Sequence, residues 1–145
     1  MSEPVPTGRE LEILKILWQR EKATVREICD VLRPAGGELA YTTVLTLLQI
    51  MEQKGLVGHD QVGKAYHYFA HAERARTFRA LARGFLDQVF DGAMDEYVAR
   101  ALESRRPSVL ELEELERMIA EAKEQARRRK RKEEEGRRGR GEVKS

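Results

Sequence analysis

Apolar residues recur at helical spacing through most of the chain and at strand spacing in one short stretch. Leu11, Leu14, Ile16, Leu17 and Trp18 predict a first helix ending near Arg20. Thr7-Gly8-Arg9-Glu10 opens it as a capping box, with Thr7 capping and Glu10 reaching back. Before it, residues 1–6 hold two prolines and no period, which predicts a loose arm. Thr24-Val25-Arg26-Glu27 is a second capping box, and Val25, Ile28, Cys29 and Leu32 form the inner side of a short second helix. Pro34-Ala35-Gly36-Gly37 breaks the chain. A third helix follows over Ala40–Lys54. Its apolar stripe is Val44, Leu47, Leu48 and Met51, either Tyr41 or Thr42 caps its start, and Gly55 ends it.

After Gly55 the period changes. Leu56-Val57-Gly58-His59-Asp60 and Ala65-Tyr66-His67-Tyr68-Phe69 read as two strands, with Gln61-Val62-Gly63-Lys64 as the turn between them. Three helices and then a hairpin is the order of a winged helix-turn-helix domain, in which the hairpin is the wing. From residue 72 only helical patterns appear. One stripe runs Phe78, Leu81, Phe85, Leu86, Val89 and Phe90, and ends at Asp91-Gly92. Met94, Tyr97, Val98 and Leu102 form a second. Leu112, Leu115, Ile119, Ala122 and Ala126 form a heptad-like third, opened by the box Ser108–Glu111. A helical segment of this size can hardly enclose a core alone, so a homodimer is expected through Phe85, Val89, Tyr97, Leu102, Leu112, Leu115 and Ile119.

The expected fold is therefore mainly α with a small β-hairpin wing. Residues 1–71 form a winged helix-turn-helix domain, 72–126 a C-terminal helical dimerisation domain, and 127–145 a basic, disordered tail. Charge follows this division. Residues 1–84 carry 12 Lys/Arg against 10 Asp/Glu, residues 85–126 carry 5 against 11, and residues 127–145 carry 10 against 4. The overall +2 hides an acidic middle and a basic end. The tail is either a solvated extension or a non-specific phosphate binder.

The polar face of the third helix carries the candidate chemistry. Thr42, Thr43, Thr46 and Gln49 are polar but uncharged, where a face meant only for solvent usually carries Lys and Glu. Hydroxyls and amides hydrogen-bond base edges, and a Thr methyl packs on thymine. The same pattern also fits an ordinary amphipathic helix. Tyr41 at the helix start, with Lys54 and Lys64 as phosphate contacts, completes the expected DNA-binding set. His59, His67 and His71 fall close together, but no ligand spacing supports a metal, and no cofactor is expected. Neither a nucleophile with a matching base nor a phosphate-cradling loop is present, so the chain does not read as an enzyme and has no catalytic residues to assign. A single cysteine, Cys29, forbids an intramolecular disulfide, and neither a membrane span nor a secretory signal is visible. A cytoplasmic protein is expected.

Four stretches together resemble the penicillinase-repressor family of winged-helix bacterial transcriptional regulators, the BlaI/MecI type. They are Glu10–Trp18, Thr24–Ile28, Ala40–Leu48, and Lys54-Gly55-Leu56-Val57 leading to Gly63–Tyr68. The resemblance implies a winged-helix domain, a helical dimerisation domain, and repression by a homodimer on a dyad-symmetric double-stranded DNA operator. It carries DNA contact onto Thr42, Thr43, Thr46 and Gln49. Ile50 stands where many relatives have Arg, which changes the contacts available to the operator. The best-known members are relieved by proteolysis in the dimerisation domain, driven by a membrane-bound sensor protease. Their cleaved Asn-Phe pair would align with Arg100-Ala101, which does not match. A copper-responsive branch carries a C-terminal cysteine cluster that this chain lacks. The competing readings are a winged-helix protein-interaction module and a non-specific nucleic-acid binder using the basic tail.

Overall fold

The computed structural model describes residues 4–32 and 40–143, and side chains up to Gly141. The expected break at Pro34–Gly37 lies outside the described residues. Two compact units are present, Met1–Ala93 and Met94–Ser145.

The first unit is built on helix α1 (Gly8–Arg20). Thr7 and Glu10 form the expected capping box: the Thr7 amide donates to the Glu10 carboxylate at 2.8 Å, and the Glu10 amide donates to the Thr7 hydroxyl. Ile13, Leu14, Ile16 and Leu17 are buried; Leu11, expected inside, is only half-buried, and Ile13 takes the core position. The loose arm is anchored at its end, because Pro6 is buried. Strand β1 (Ala23–Thr24) leads directly into α2 (Val25–Leu32), whose inner side is the expected Val25, Ile28, Cys29 and Leu32. Thr24 serves both elements. Its backbone pairs with a strand, and its side chain caps α2 against Glu27.

Helix α3 (Tyr41–Gln53) starts differently from expectation. Its N-cap is Ala40, with no side-chain cap, so neither Tyr41 nor Thr42 caps it. Both are already inside the helix, and their side chains point to solvent. The other end is as the sequence predicts. Gly55 sits at φ 82°, the Gly55 amide donates to the Glu52 carbonyl, and the Leu56 amide donates to Met51. That double bond is a Schellman stop, which needs a left-handed residue at Gly55.

Strands β2 (Val57–Val62) and β3 (Ala65–Ala70) pair antiparallel in the register Val57↔Ala70 to Val62↔Ala65. The turn is thus tighter than the four residues expected. Gln61 and Val62 belong to the strand, and Gly63 (φ 64°) with Lys64 makes the two-residue connection. β1 adds to the far side of β3, giving a three-stranded sheet in the order β1-β3-β2. A two-residue strand is too short to leave a periodic signal, which is why the sequence shows only its capping role. Helices, sheet and Tyr68 enclose one core centred on Leu14, Leu17, Ile28, Leu48, Met51 and Leu56. Helix α4 (Arg74–Phe90) closes the unit. Trp18 holds it, donating from Nε1 to the Ala72 carbonyl at 2.8 Å and packing edge-on to Phe78 at 5.6 Å. Trp18 is therefore a clamp on the start of α4.

The second unit holds α5 (Met94–Ser104) and α6 (Val109–Val143). The Ser108 box with Glu111 opens α6. The tail expected to be disordered from 127 instead continues α6 as helix to Val143. Arg, Lys and Glu are good helix formers, and no proline interrupts them. Cations near a helix C-terminus also oppose the negative end of its dipole. No helix among the described residues is long and apolar enough to cross a membrane.

Candidate nucleic-acid interface

α3 turns Val44, Leu48 and Met51 into the core, each fully shielded, so the opposite face must look outward. Thr42, Thr43, Thr46 and Gln49 lie on it, and all are exposed. One of these hydroxyls is partly committed: Thr46 donates to the Thr42 carbonyl at 2.8 Å. Its proton is used within the helix, so toward a base edge it offers lone pairs and a methyl group, not a donor. Ile50, 41% exposed, adds an apolar contact on the same outward side.

Beside this face lies an open cleft of about 610 Å³ between α3, the start of α2 and the hairpin. Tyr41, Gln49, Arg26, Lys64 and Tyr66 line it. The structure thus brings Lys64, at the hairpin tip, and Tyr41, at the helix start, to one concavity with Gln49. Arg26 and Tyr66 are additions. In the sequence Arg26 is only an exposed position of a capping box and Tyr66 only a strand residue; cross-chain proximity alone reveals them. Neither Arg26 nor Lys64 has a carboxylate within ion-pair distance among the described residues.

The cleft has a rigid floor. His59 Nδ1 bonds the Glu52 carboxylate, which ties β2 to the last turns of α3. The His59 ring stands edge-on to Tyr66 at 5.0 Å and tilted against Tyr68 at 5.4 Å. Burial, followed by the nearby Glu52 charge, pushes the Tyr68 phenol above its ordinary range and keeps it neutral. Asp60, the only acid of the hairpin, is held by Lys22 at 2.7 Å, and that ammonium keeps its carboxyl below the usual range. The free charge on the hairpin is therefore positive. His67 lies on β3 opposite Asp60, and His71 packs edge-on to Phe69. The three histidines thus have separate neighbours: His59 faces Glu52, His67 faces Asp60 across the sheet, and His71 stacks on Phe69.

Lys54 is paired within the fold. Its ammonium contacts both oxygens of Glu10 at 2.9 and 3.0 Å, and Glu10 is only 2% exposed. A carboxylate that is removed from water demands a cation, and Lys54 supplies it. Burial alone would raise the Glu10 pKa. The Thr7 amide and Lys54 together outweigh it, and the carboxyl lies below its ordinary value.

Each unit also leaves apolar side chains in water. In the first unit Phe85 and Val89 on α4 are half-exposed. In the second, Leu102 on α5 and Leu112, Leu115 and Ile119 on α6 are half-exposed, and Tyr97 is partly buried. Ile119 keeps 53% of its surface in water.

Comparison with known proteins gives the family. The sequence model of the penicillinase repressor family matches residues 6–121. A penicillinase repressor from Bacillus licheniformis is 23% identical over 120 residues, which span 83% of this chain and 93% of that protein. Among solved structures, the DNA-binding domain of the repressor BlaI is similar over 52% of this chain and 93% of its own, at 22% identity and a TM-score of 0.46. The monomeric form of Bacillus licheniformis BlaI in complex with the blaP half-operator is similar over 52% and 90%, at 21% identity and a TM-score of 0.44.

Proposed function

The chain belongs to the penicillinase repressor family, and from that premise we propose that it is a sequence-specific transcriptional repressor acting in the cytoplasm as a homodimer on a dyad-symmetric operator. The observation that carries this reading is the pairing of an exposed, uncharged Thr/Gln face on α3 with a cleft whose rim cations, Arg26 and Lys64, are unpaired among the described residues. Thr42, Thr43, Thr46 and Gln49 read base edges in the major groove, and Tyr41, Arg26, Lys64 and Tyr66 hold the adjoining backbone. Lys54 is not in this set, because Glu10 occupies it.

The dimer reading rests on Phe85, Val89, Tyr97, Leu102, Leu112, Leu115 and Ile119. Most of these keep large apolar area in water in the single chain, and apolar area of that kind is favourable to bury. Two linked reading heads gain affinity because the second half-site binds within an existing complex. Half-site spacing then follows the dimer, at about one helical turn of DNA or a multiple. Relief of repression follows from loss of the dimer, for which a sensor protease acting within 72–126 is the upstream partner. Arg100-Ala101 is a helical bond in α5, braced by Arg100 pairs to Glu96 and Glu103. Cleavage there requires that turn to unwind first.

The test is fluorescence anisotropy with DNA from the chain's own upstream region and with a shuffled duplex. Strong preference for the upstream duplex, at two chains per site, is the expected result. Equal affinity for both overturns the sequence-specific reading, and one chain per site overturns the dimer.

A further inference from the structure

The distal part of α6 lies beyond residue 121, where the family match ends. No apolar residue occurs between Ala126 and Val143, and every described side chain there is exposed. Residues 127–132 are six consecutive cations: Arg127, Arg128, Arg129, Lys130, Arg131 and Lys132. Among the described residues, only Arg128 and Arg131 are paired, both with Glu124. Arg127, Arg129, Lys130 and Lys132 have no carboxylate within ion-pair distance among the described residues.

Within one helix these cations stand three and four positions apart and repel one another. The repulsion lasts until a polyanion screens it. Six positions rise only about 9 Å along a helix axis, and duplex DNA carries about one negative charge per 1.7 Å. The charge densities are thus of the same order. Most of these side chains are Arg, whose fork fits phosphate bidentately. With no aromatic or apolar neighbour, the segment has nothing to stack on bases or to fill a protein groove. The cations also point to all sides of the helix, which favours a surrounding field of phosphates over one face of an acidic protein.

We infer that the distal segment of α6 is a second DNA contact, one that grips phosphates without reading sequence and is separate from the α3 face. This rests on the DNA-binding reading above. It adds affinity, salt dependence and residence on DNA, and leaves specificity to α3.

The test uses the full chain with Arg127→Gln, Arg129→Gln, Lys130→Gln and Lys132→Gln combined. Gln keeps helix propensity, and Arg128 and Arg131 keep Glu124. Affinity is measured across a salt series on the upstream duplex and on the shuffled one. Each lost phosphate contact makes the slope of log K against log salt shallower by roughly 0.9. A slope shallower by roughly 2 or more per chain is expected, with about a tenfold loss at low salt on both duplexes alike. An unchanged slope overturns the inference and leaves a solvated helix or an acidic protein partner. Circular dichroism checks the helix, and the charge-conserving pair Arg127→Lys and Arg129→Lys controls for it. Retention of the slope in that pair supports the inference; loss of it overturns it. If the unaltered chain prefers neither duplex, the repressor reading fails, while a slope that still falls in the Gln variant upholds the phosphate grip.

Discussion

Lys54→Met separates two roles that the sequence alone left together. Glu10 is 2% exposed, and its carboxylate is matched by the Lys54 ammonium at 2.9 and 3.0 Å and by the Thr7 amide at 2.8 Å. Breaking a buried pair costs roughly 3–5 kcal/mol. Lys54 is itself 37% exposed, so water screens part of the attraction, and about 1–3 kcal/mol is the expected loss. A second bound agrees. At pH 7 the stranded carboxyl escapes by taking a proton, which costs at most about 4 kcal/mol from an ordinary Glu value near 4.3. The assay is urea unfolding followed by the fluorescence of Trp18, the only tryptophan, which packs in the same unit. For a unit of this size the loss corresponds to a fall in Tm on the order of 10 °C. The pH dependence has a definite sign. The folded Glu10 pKa is lowered, so the pair stabilises above the unfolded value and its contribution fades as pH falls through the folded one. The gap between the unaltered chain and Lys54→Met therefore closes as pH falls through the lowered Glu10 value. A stability loss under about 0.5 kcal/mol, with a DNA salt slope shallower by roughly 0.9, refutes this reasoning and returns Lys54 to the phosphate backbone.

Three further outcomes test the rest. Thr43→Ala is expected to cost roughly 1–3 kcal/mol on the upstream duplex and little on shuffled DNA; equal losses on both remove Thr43 from base reading. Leu115→Glu with Ile119→Glu changes residues already half in water, so the single-chain fold is kept while sedimentation shifts toward monomer and operator affinity drops; an unshifted dimer places the interface elsewhere. Gly58→Ala puts a Cβ 2.5 Å from His71 Nε2 and 3.0 Å from the Phe69 ring, so those two rings must shift. The expected loss is about 1–3 kcal/mol, read by thermal melting, and an unchanged Tm denies that packing.

Much of this protein was legible from local pattern. The capping boxes at Thr7, Thr24 and Ser108, the inner faces of α2 and α3, the Gly55 stop and the hairpin all depend on residues within a few positions of one another. Periodicity and turn chemistry record such relations directly. Where expectation and structure part, the deciding partner is distant or the signal is too short. β1 is two residues long and is defined by its pairing with Tyr68 and His67. The charged tail has no apolar residue between Ala126 and Val143 to build a core, but a helix can persist on local propensity alone.

What the sequence determined by itself is therefore the order of the main helices and the hairpin, and the polar, uncharged face that α3 offers. Only the tertiary structure decided which cations are free to use. It placed Glu10 beneath Lys54, 44 positions away, and Asp60 against Lys22, 38 positions away, while it left Arg26 and Lys64 open at one cleft. Ion pairing between distant residues depends on distance and burial in space, and neither is written in the spacing of residues along a chain.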